Sequence, residues 1–441
     1  MHRHHETFPE DGADCLQPGQ TPSPGIRPAA CLTSLQWSMQ SAPKAPNVIL
    51  LALALSLGAA VAIGVTRFAY GLLLPPMRTD LHWSYTLAGA MNTANAVGYL
   101  LGALAAPVAM RHLGPTRVFL LGALLGSVFM GLSGFFTASM PLMLQRLLAG
   151  AASAFVFVAG GLLVARLAAT EPKQGGLLLG LFYGGSGLGI VVSALLVPAV
   201  LHAAEAQTHG WAWAWWALAM VCLVATAVLA GSARALQQVS DKAESVNATV
   251  TAISERPFVW REFSYALAGY GLFGVGYIGY MTFVIALLRE QGAGGAYVTV
   301  FYALLGVAVA VSSRVWAKWL DRFKGGQVLA TNNALLGLAT VLPALTSAWP
   351  AVMASGLVFG GVFLSAAAST TAMVRHNLPP SAWGAGISAF TVVFAVGQIV
   401  GPTMVGWVAD GPGGLPRGLI YSAVALWLGA LLAWRQRAIG G

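Results

Sequence analysis

Charge is what this sequence has least of. Asp, Glu, Lys and Arg make up 8% of its 441 residues, against about 25% in a soluble domain, which excludes a large soluble core. Acid is the scarcer sign. All 14 Asp and Glu residues fall in the first 46 residues, between apolar runs or at their ends, and none stands near the middle of a run. Cysteine is nearly absent too: Cys15, Cys31 and Cys222 are far apart and in unlike settings, which excludes a disulfide framework and a thiolate metal site. No His-Glu metal set, nucleophile elbow or Walker loop occurs, and the 8 histidines lie in the tail, in loops or at run ends. The expectation is therefore no metal, no cofactor and no enzyme. The pI near 9.7 does not point to nucleic acid, because the basic residues sit between apolar runs instead of on one face of a soluble domain.

What is present is hydrophobic sequence: 57% of residues, with a mean hydropathy of +0.73. That is the composition of a polytopic membrane protein. Residues 1–46 are a different polypeptide, rich in Pro, Gly, Ser and Gln and carrying His2, His4 and His5. They cannot bury a core and are expected to be a disordered tail. No apolar segment with a small-residue cleavage site precedes the first long run, so the tail does not read as a signal peptide. Met39 offers an alternative start. Twelve apolar segments follow, at 47–77, 84–110, 118–137, 140–168, 176–201, 211–231, 263–288, 296–316, 328–347, 350–374, 383–409 and 417–434. Each is long enough to cross a bilayer as a helix, which takes roughly 20 residues. Residues 232–262 are a polar linker that splits the chain into an N-terminal half, 47–231, and a C-terminal half, 263–437.

Lys and Arg set the orientation. With both termini inside, only Arg78, Arg289 and Arg417 fall outside, and Arg67 and Arg146 fall within the membrane. The rest of the 23 basic residues collect on the cytoplasmic side, as the positive-inside bias requires. Trp211, Trp213, Trp215 and Trp216 open the sixth segment on the outer side, where amphipathic rings favour the headgroup level.

Gly64-Val65-Thr66-Arg67-Phe68-Ala69-Tyr70 organises the first half. It places a guanidinium inside a span, where an ionisable group faces protein or water and reads as functional. The pattern returns as Gly274 to Tyr280, with Tyr277 where Arg67 stood. An offset of about 210 residues also relates Asp80 to Glu290, Arg111 and Gly114 to Arg322 and Gly325, and Gly185 and Gly189 to Gly397 and Gly401. Two parallel six-span repeats follow.

Several motifs carry a family resemblance. Leu320-Asp321-Arg322-Phe323-Lys324-Gly325 follows the second span of its half, and Arg111, Gly114 and Arg117 form its counterpart, with Met110 where an Asp would stand. Gln145-Arg146 precedes Gly150 in the fourth span, and Arg67-Phe68-Ala69-Tyr70 precedes Pro75 in the first. The chain resembles the major facilitator superfamily over about residues 47 to 437, and within it the YbfB/YjiJ-type branch. The resemblance implies an all-α membrane protein of twelve transmembrane helices in two pseudo-symmetric halves. It implies a cytoplasmic latch built from Arg111, Gly114, Arg117, Asp321, Arg322 and Gly325. It also places spans one, four, seven and ten around a central cavity, bringing Arg67, Tyr70, Arg146, Tyr277 and Tyr280 together, with Gln398 among the polar groups that could share it. The antiporter signature wants Gly-Pro in span five, yet Ile190 follows Gly189 and the Gly401-Pro402 pair is in span eleven.

Two arginines inside the membrane, with no carboxylate near the middle of a span, need a counter-charge. A transported anion supplies one. The expected function is a secondary active transporter of a small organic solute, preferably an organic anion coupled to protons, in the bacterial inner membrane and acting as a monomer. A multidrug exporter is the alternative within transport, and a non-transporting membrane sensor the alternative of another class. Asn92, Asn95 and Tyr99 share one helical face at spacings of three and four.

The charge census makes a direct prediction. A periplasm-active reporter fused after Gln207 or Gly292 should be active, and one fused near Val246 silent; the reverse at either place overturns the twelve-span map.

Overall fold

The computed structural model describes residues 47–171, 174–238 and 258–439. The tail 1–46 and most of the linker 232–262 lie outside the described residues. The described residues form helices and no strand. Twelve helices are long and apolar enough to cross a membrane: α1 Val48–Asp80, α2 Tyr85–Leu113, α3 Pro115–Ser133, α4 Ser139–Thr170, α5 Gly175–Ala203, α6 Trp211–Gly231, α7 Ser264–Glu290, α8 Gly295–Arg322, α9 Gln327–Leu345, α10 Trp349–Asn377, α11 Pro380–Ala409 and α12 Gly414–Trp434. Their ends fall close to those expected, because Gly, Pro and Ser mark them. Ser84 caps α2 by accepting from the Leu87 N–H at 3.1 Å. Gly114 ends it in a backbone of φ 79° that other L-residues rarely adopt.

The repeat predicted from sequence is visible in the packing. In the first half α5 lies against α1, and in the second α11 lies against α7. Glycine permits both contacts. A β-carbon on Gly189 would stand 2.4 Å from the Ala60 carbonyl of α1, and one on Gly401 would stand 2.5 Å from the Val275 carbonyl of α7. These are small-residue contacts of the kind that bring membrane helices together without a hydrophobic driving force. The halves meet mainly through α5 against α8 and α2 against α11, two contacts that the pseudo-symmetry exchanges. Leu101, Leu104, Leu195 and Leu428 are exposed, as befits side chains facing lipid.

One end of the molecule, here termed the distal face, carries the turns after α1, α7 and α11; the ends of the described chain, Asn47 and Ile439, lie at the other. At the distal face the halves are tied by a helix cap supplied across the interface. The first turn of α2 has N–H groups with no intrahelical partner. Asp410, just past α11, accepts from the Tyr85 N–H at 2.7 Å, the Thr86 N–H at 2.8 Å and the Thr86 hydroxyl at 2.6 Å. Tyr85 also donates its phenol to Glu290 at the end of α7, and the Arg78 guanidinium lies 3.8 Å over the Tyr85 ring. Further in, Thr93 donates to the Ile399 carbonyl at 2.7 Å, and Tyr302 of α8 donates to the Phe68 carbonyl at 2.7 Å. Cross-half hydrogen bonds thus run from the level of Phe68 to the distal face.

Asp410 makes this closure titratable. Partial burial pushes its carboxyl upward, but the hydrogen bonds from Thr86 and Tyr85 and the nearby Arg78 outweigh that and hold it below the ordinary value of 3.8. A depressed value means that the carboxylate favours closure fully above pH 3.8 and that this contribution is lost as pH falls through the lowered value. Asp410→Asn should shift the closed-to-open ratio at pH 7 by roughly fivefold, or about 1 kcal/mol after solvent screening. Spin labels on Thr208 and Ser347, with the native cysteines replaced, should then report longer distal distances. Unchanged distances would show that Asp410 does not hold the face shut.

Candidate functional site

The first helix is not continuous. Val48–Ala59 is α-helical, Ala60–Val65 is a π-helical turn, and the regular helix resumes at Tyr70. Thr66 and Phe68 donate to carbonyls five residues back, Val61 at 2.9 Å and Ile63 at 3.3 Å. Glycine at position 64 and the following β-branched pair Val65-Thr66 suit such a break better than an uninterrupted helix. The break lies inside the bundle, the one place where irregular backbone is tolerated at membrane depth.

Arg146 of α4 satisfies it. One terminal nitrogen donates to the Thr66 carbonyl and the other to the Asn92 side-chain oxygen, both at 2.8 Å. Asn92 passes the chain across the interface, donating to the Thr282 hydroxyl of α7 at 2.7 Å. Asn95 donates to the Arg146 carbonyl at 3.0 Å. The guanidinium sits 4.9 Å over the Tyr70 ring and 5.9 Å from that of Trp215. Its two terminal nitrogens are therefore engaged by protein.

Arg67 is different. It is buried at the same break, yet among the described residues it makes no hydrogen bond and no ion pair, and its Nε is buried without a partner. Its nearest company is aromatic. The guanidinium carbon lies 5.1 Å over the Tyr99 ring of α2, and Tyr277 of α7 is within its electrostatic reach. Tyr99, Tyr183, Tyr270 and Tyr277 lie close enough to act on one another from both halves. Tyr277 donates to the Gln398 Oε1 at 2.9 Å, and the Gln398 Nε2 is left buried and without a partner. A cation, phenols and an unpaired amide donor, with no carboxylate among the described span interiors, can bind an anion.

The structure separates residues that the sequence grouped. Arg67, Tyr277 and Gln398 come together. Arg146 does not join them as a second half of an arginine clamp, because the broken backbone of α1 claims it. Tyr70 donates its hydroxyl to the Ala88 carbonyl at 2.8 Å and is a strut. Tyr280 turns into the second half, where its hydroxyl pairs with Ser355 at 2.7 Å. Ser355 gives its own proton to the Ala339 carbonyl, so Tyr280 is the donor. At the other face Arg111, Arg117, Asp321 and Arg322 are exposed. Asp321 has no ion-pair partner among the described residues, and Gly325 packs near the Gln436 carbonyl. Sequence reasoning passed over Tyr270, whose ring stacks on that of Phe394 of α11 at 5.0 Å, and Asp410 as a cap. The face shared by Asn92, Asn95 and Tyr99 was its usable signal: the first two hold Arg146 and the third covers Arg67.

Comparison with known proteins gives a consistent pattern. The family model described as "Uncharacterised MFS-type transporter YbfB" matches residues 59–434. A chloramphenicol resistance protein of Streptomyces lividans is 26% identical over 379 residues, covering 83% of this chain and 92% of the relative. Among solved structures, a bacterial homologue of the human lysosomal transporter Spinster, inward-facing and occupied, superposes with a TM-score of 0.66 at 14% identity, covering 87% of this chain and 96% of that one. The nucleoside transporter NupG does so with a TM-score of 0.63 at 12% identity, covering 88% and 100%. Likeness at such identity shows the fold.

Because Arg146 holds the break, Arg146→Gln should destabilise the protein by about 1.5–3 kcal/mol per lost charge-assisted bond, read as a lowered thermal unfolding midpoint in detergent. A variant that melts like the wild type but has lost anion binding would instead make Arg146 a ligand residue.

Proposed function

This chain belongs to the YbfB-type family of major facilitator superfamily transporters, and from that premise we propose that its cargo is an organic anion anchored by Arg67. It is a membrane transporter and not an enzyme, a multi-pass protein whose partners are a small-molecule substrate and the lipid around it. The observation that carries the choice of cargo is the buried guanidinium of Arg67, which has no hydrogen bond and no counter-ion among the described residues. A cation inside a bilayer-spanning bundle needs one or the other, and a bound anion provides both. Bonds from guanidinium to carboxylate are bidentate and directional, so the site would select as well as attract.

The positive-inside bias supports cytoplasmic termini with the distal face outside, and we take the membrane to be a bacterial inner membrane. The state described is then closed to the outside by the Asp410 cap, and the unpaired Asp321 agrees with a cytoplasmic latch that is not engaged. Alternating access would exchange these two closures around a site at the level of Arg67. Proton coupling belongs to the same proposal. Since no carboxylate lies near the middle of a described span, the carboxylates available to it are those at or just beyond helix ends, among them Asp80, Glu290, Asp321 and Asp410. The protein is expected to work as a monomer.

A second reading has its own support. The relative from Streptomyces lividans is named for chloramphenicol resistance, and the aromatic walls of the site suit a hydrophobic drug. That reading predicts tolerance of losing Arg67. Arg67→Lys keeps the charge but not the fork, and Arg67→Gln removes both. If the cargo is an anion, Arg67→Gln should weaken binding by about tenfold to a hundredfold, the equivalent of roughly 1.5–3 kcal/mol, with Arg67→Lys in between. Ligand-dependent thermal shift on protein checked by size exclusion measures this. Near-wild-type anion affinity in both variants would remove the anchor and favour the exporter.

A further inference from the structure

We infer that the site around Arg67 takes a planar aromatic monocarboxylate, a single anionic group attached to a flat ring. This rests on the reading of Arg67 as the anion anchor and adds two things to it: the number of charges and the shape of the body.

The number of charges follows from the division between the two arginines. The sequence offers two buried guanidinium groups, which would suit a dianion. The structure gives one of them to the protein, because both terminal nitrogens of Arg146 are bound at 2.8 Å to the Thr66 carbonyl and the Asn92 oxygen. Arg67 alone is left without a partner. A second carboxylate on the ligand would enter a span region with no further free cation among the described residues, at the full cost of burying an unpaired charge.

The shape follows from the wall beside it. Phe394 of α11 is half-buried and lies nearly parallel to three rings of α7: Tyr270 at 5.0 Å and 20°, Phe273 at 5.4 Å and 13°, and Tyr277 at 5.5 Å and 17°. The four rings stack on one another in nearly one orientation, and Phe394 alone among them keeps partial exposure, the others being buried. Tyr183, half-buried on α5 of the first half, lies within electrostatic reach of Tyr270. Aromatic faces prefer an offset-stacked ring to an aliphatic body of equal size.

The same residues disfavour a polyhydroxylated ligand. Recognition of sugars or nucleosides needs side-chain amides and carboxylates free to accept hydrogen bonds. Here the Asn92 oxygen accepts from Arg146, the Asn95 amide serves the Arg146 backbone, and the Gln398 oxygen accepts from Tyr277. Among Arg67, Asn92, Asn95, Arg146, Tyr277 and Gln398, the buried atoms left unpaired are donors: the Nε of Arg67 and of Arg146 and the Gln398 Nε2. Unpaired donors match a carboxylate.

The test uses the full-length protein purified in detergent at pH 7, with four probes titrated by calorimetry: benzoate, cyclohexanecarboxylate, benzamide and phthalate. The pair of monocarboxylates has the same charge and nearly the same size and differs in the flat ring. Benzoate should bind about fivefold to tenfold more tightly than cyclohexanecarboxylate, the ratio expected of aromatic stacking. Benzamide, which lacks the charge, and phthalate, which has one charge too many, should both bind more weakly than benzoate. Phe394→Leu should bring the ratio of the two monocarboxylates close to one, and Arg67→Gln should weaken binding of both by about tenfold to a hundredfold. A wild-type ratio of one or less overturns the aromatic assignment, and tighter binding of phthalate overturns the single charge; in either case Arg67-dependent binding leaves the anion reading standing. Benzamide bound better than benzoate, monocarboxylate binding indifferent to Arg67→Gln, or no binding of any probe to the folded protein overturns the inference together with the anion reading beneath it. The wild-type series decides the matter even if Phe394→Leu does not fold.

Discussion

The hydrogen bond from Arg146 to the Thr66 carbonyl is the contact on which the rest of the site depends. A broken helix at membrane depth exposes backbone acceptors that water cannot reach, and each unsatisfied group costs several kcal/mol in hydrocarbon. Arg146 covers one such carbonyl at 2.8 Å, and Tyr302 reaches across from the other half to cover another at Phe68. With those two supports the irregular backbone between Ala60 and Tyr70 is held, and Arg67 lies buried there over the Tyr99 ring of α2.

The two arginines illustrate how identical chemistry divides by context. Each guanidinium brings five donors and a charge that cannot be removed at any physiological pH. Arg146 spends its terminal donors on backbone and amide oxygens, whereas Arg67 has no hydrogen-bond partner among the described residues, which is the ground for proposing it as the anion anchor. The positions differ by one fact of geometry: the break in α1 presents a carbonyl toward α4 and none toward Arg67 itself. A bare count of buried cations therefore overstates the charge available to a substrate.

Closure at the distal face works through a helix end. Asp410 does for α2 what a capping residue ordinarily does from within the same chain segment, but it does so from the opposite half. When the halves separate, the first turn of α2 loses its acceptor and the carboxylate loses three donors. Both can be resatisfied by water at the surface, so the closure is reversible in a way that a bond buried in the core would not be. Two tight helix crossings, α5 with α8 and α2 with α11, stand on either side of the same interface and are exchanged by the pseudo-symmetry. They supply surfaces about which such halves can rock.

The sequence by itself determined the twelve spans, the two repeats and the orientation implied by its basic residues. Those properties depend on composition and local periodicity: apolar length, the spacing of Gly, and where Lys and Arg fall. It also marked residues 64–70 as the organising stretch, because an arginine within an apolar run is conspicuous without any structure. What it could not show is which buried polar group satisfies which. Arg67, Tyr70, Arg146 and Tyr280 look alike in sequence, each a polar group inside a span. The tertiary structure gives Tyr70 the Ala88 carbonyl, Tyr280 the Ser355 hydroxyl and Arg146 the break in α1, and leaves Arg67 without a partner. Likewise Asp410 is only a loop acid until α2 and α11 are brought side by side. Hydrogen-bond partners separated by 80 or 325 residues are set by helix packing, and packing is what tells such look-alike candidates apart.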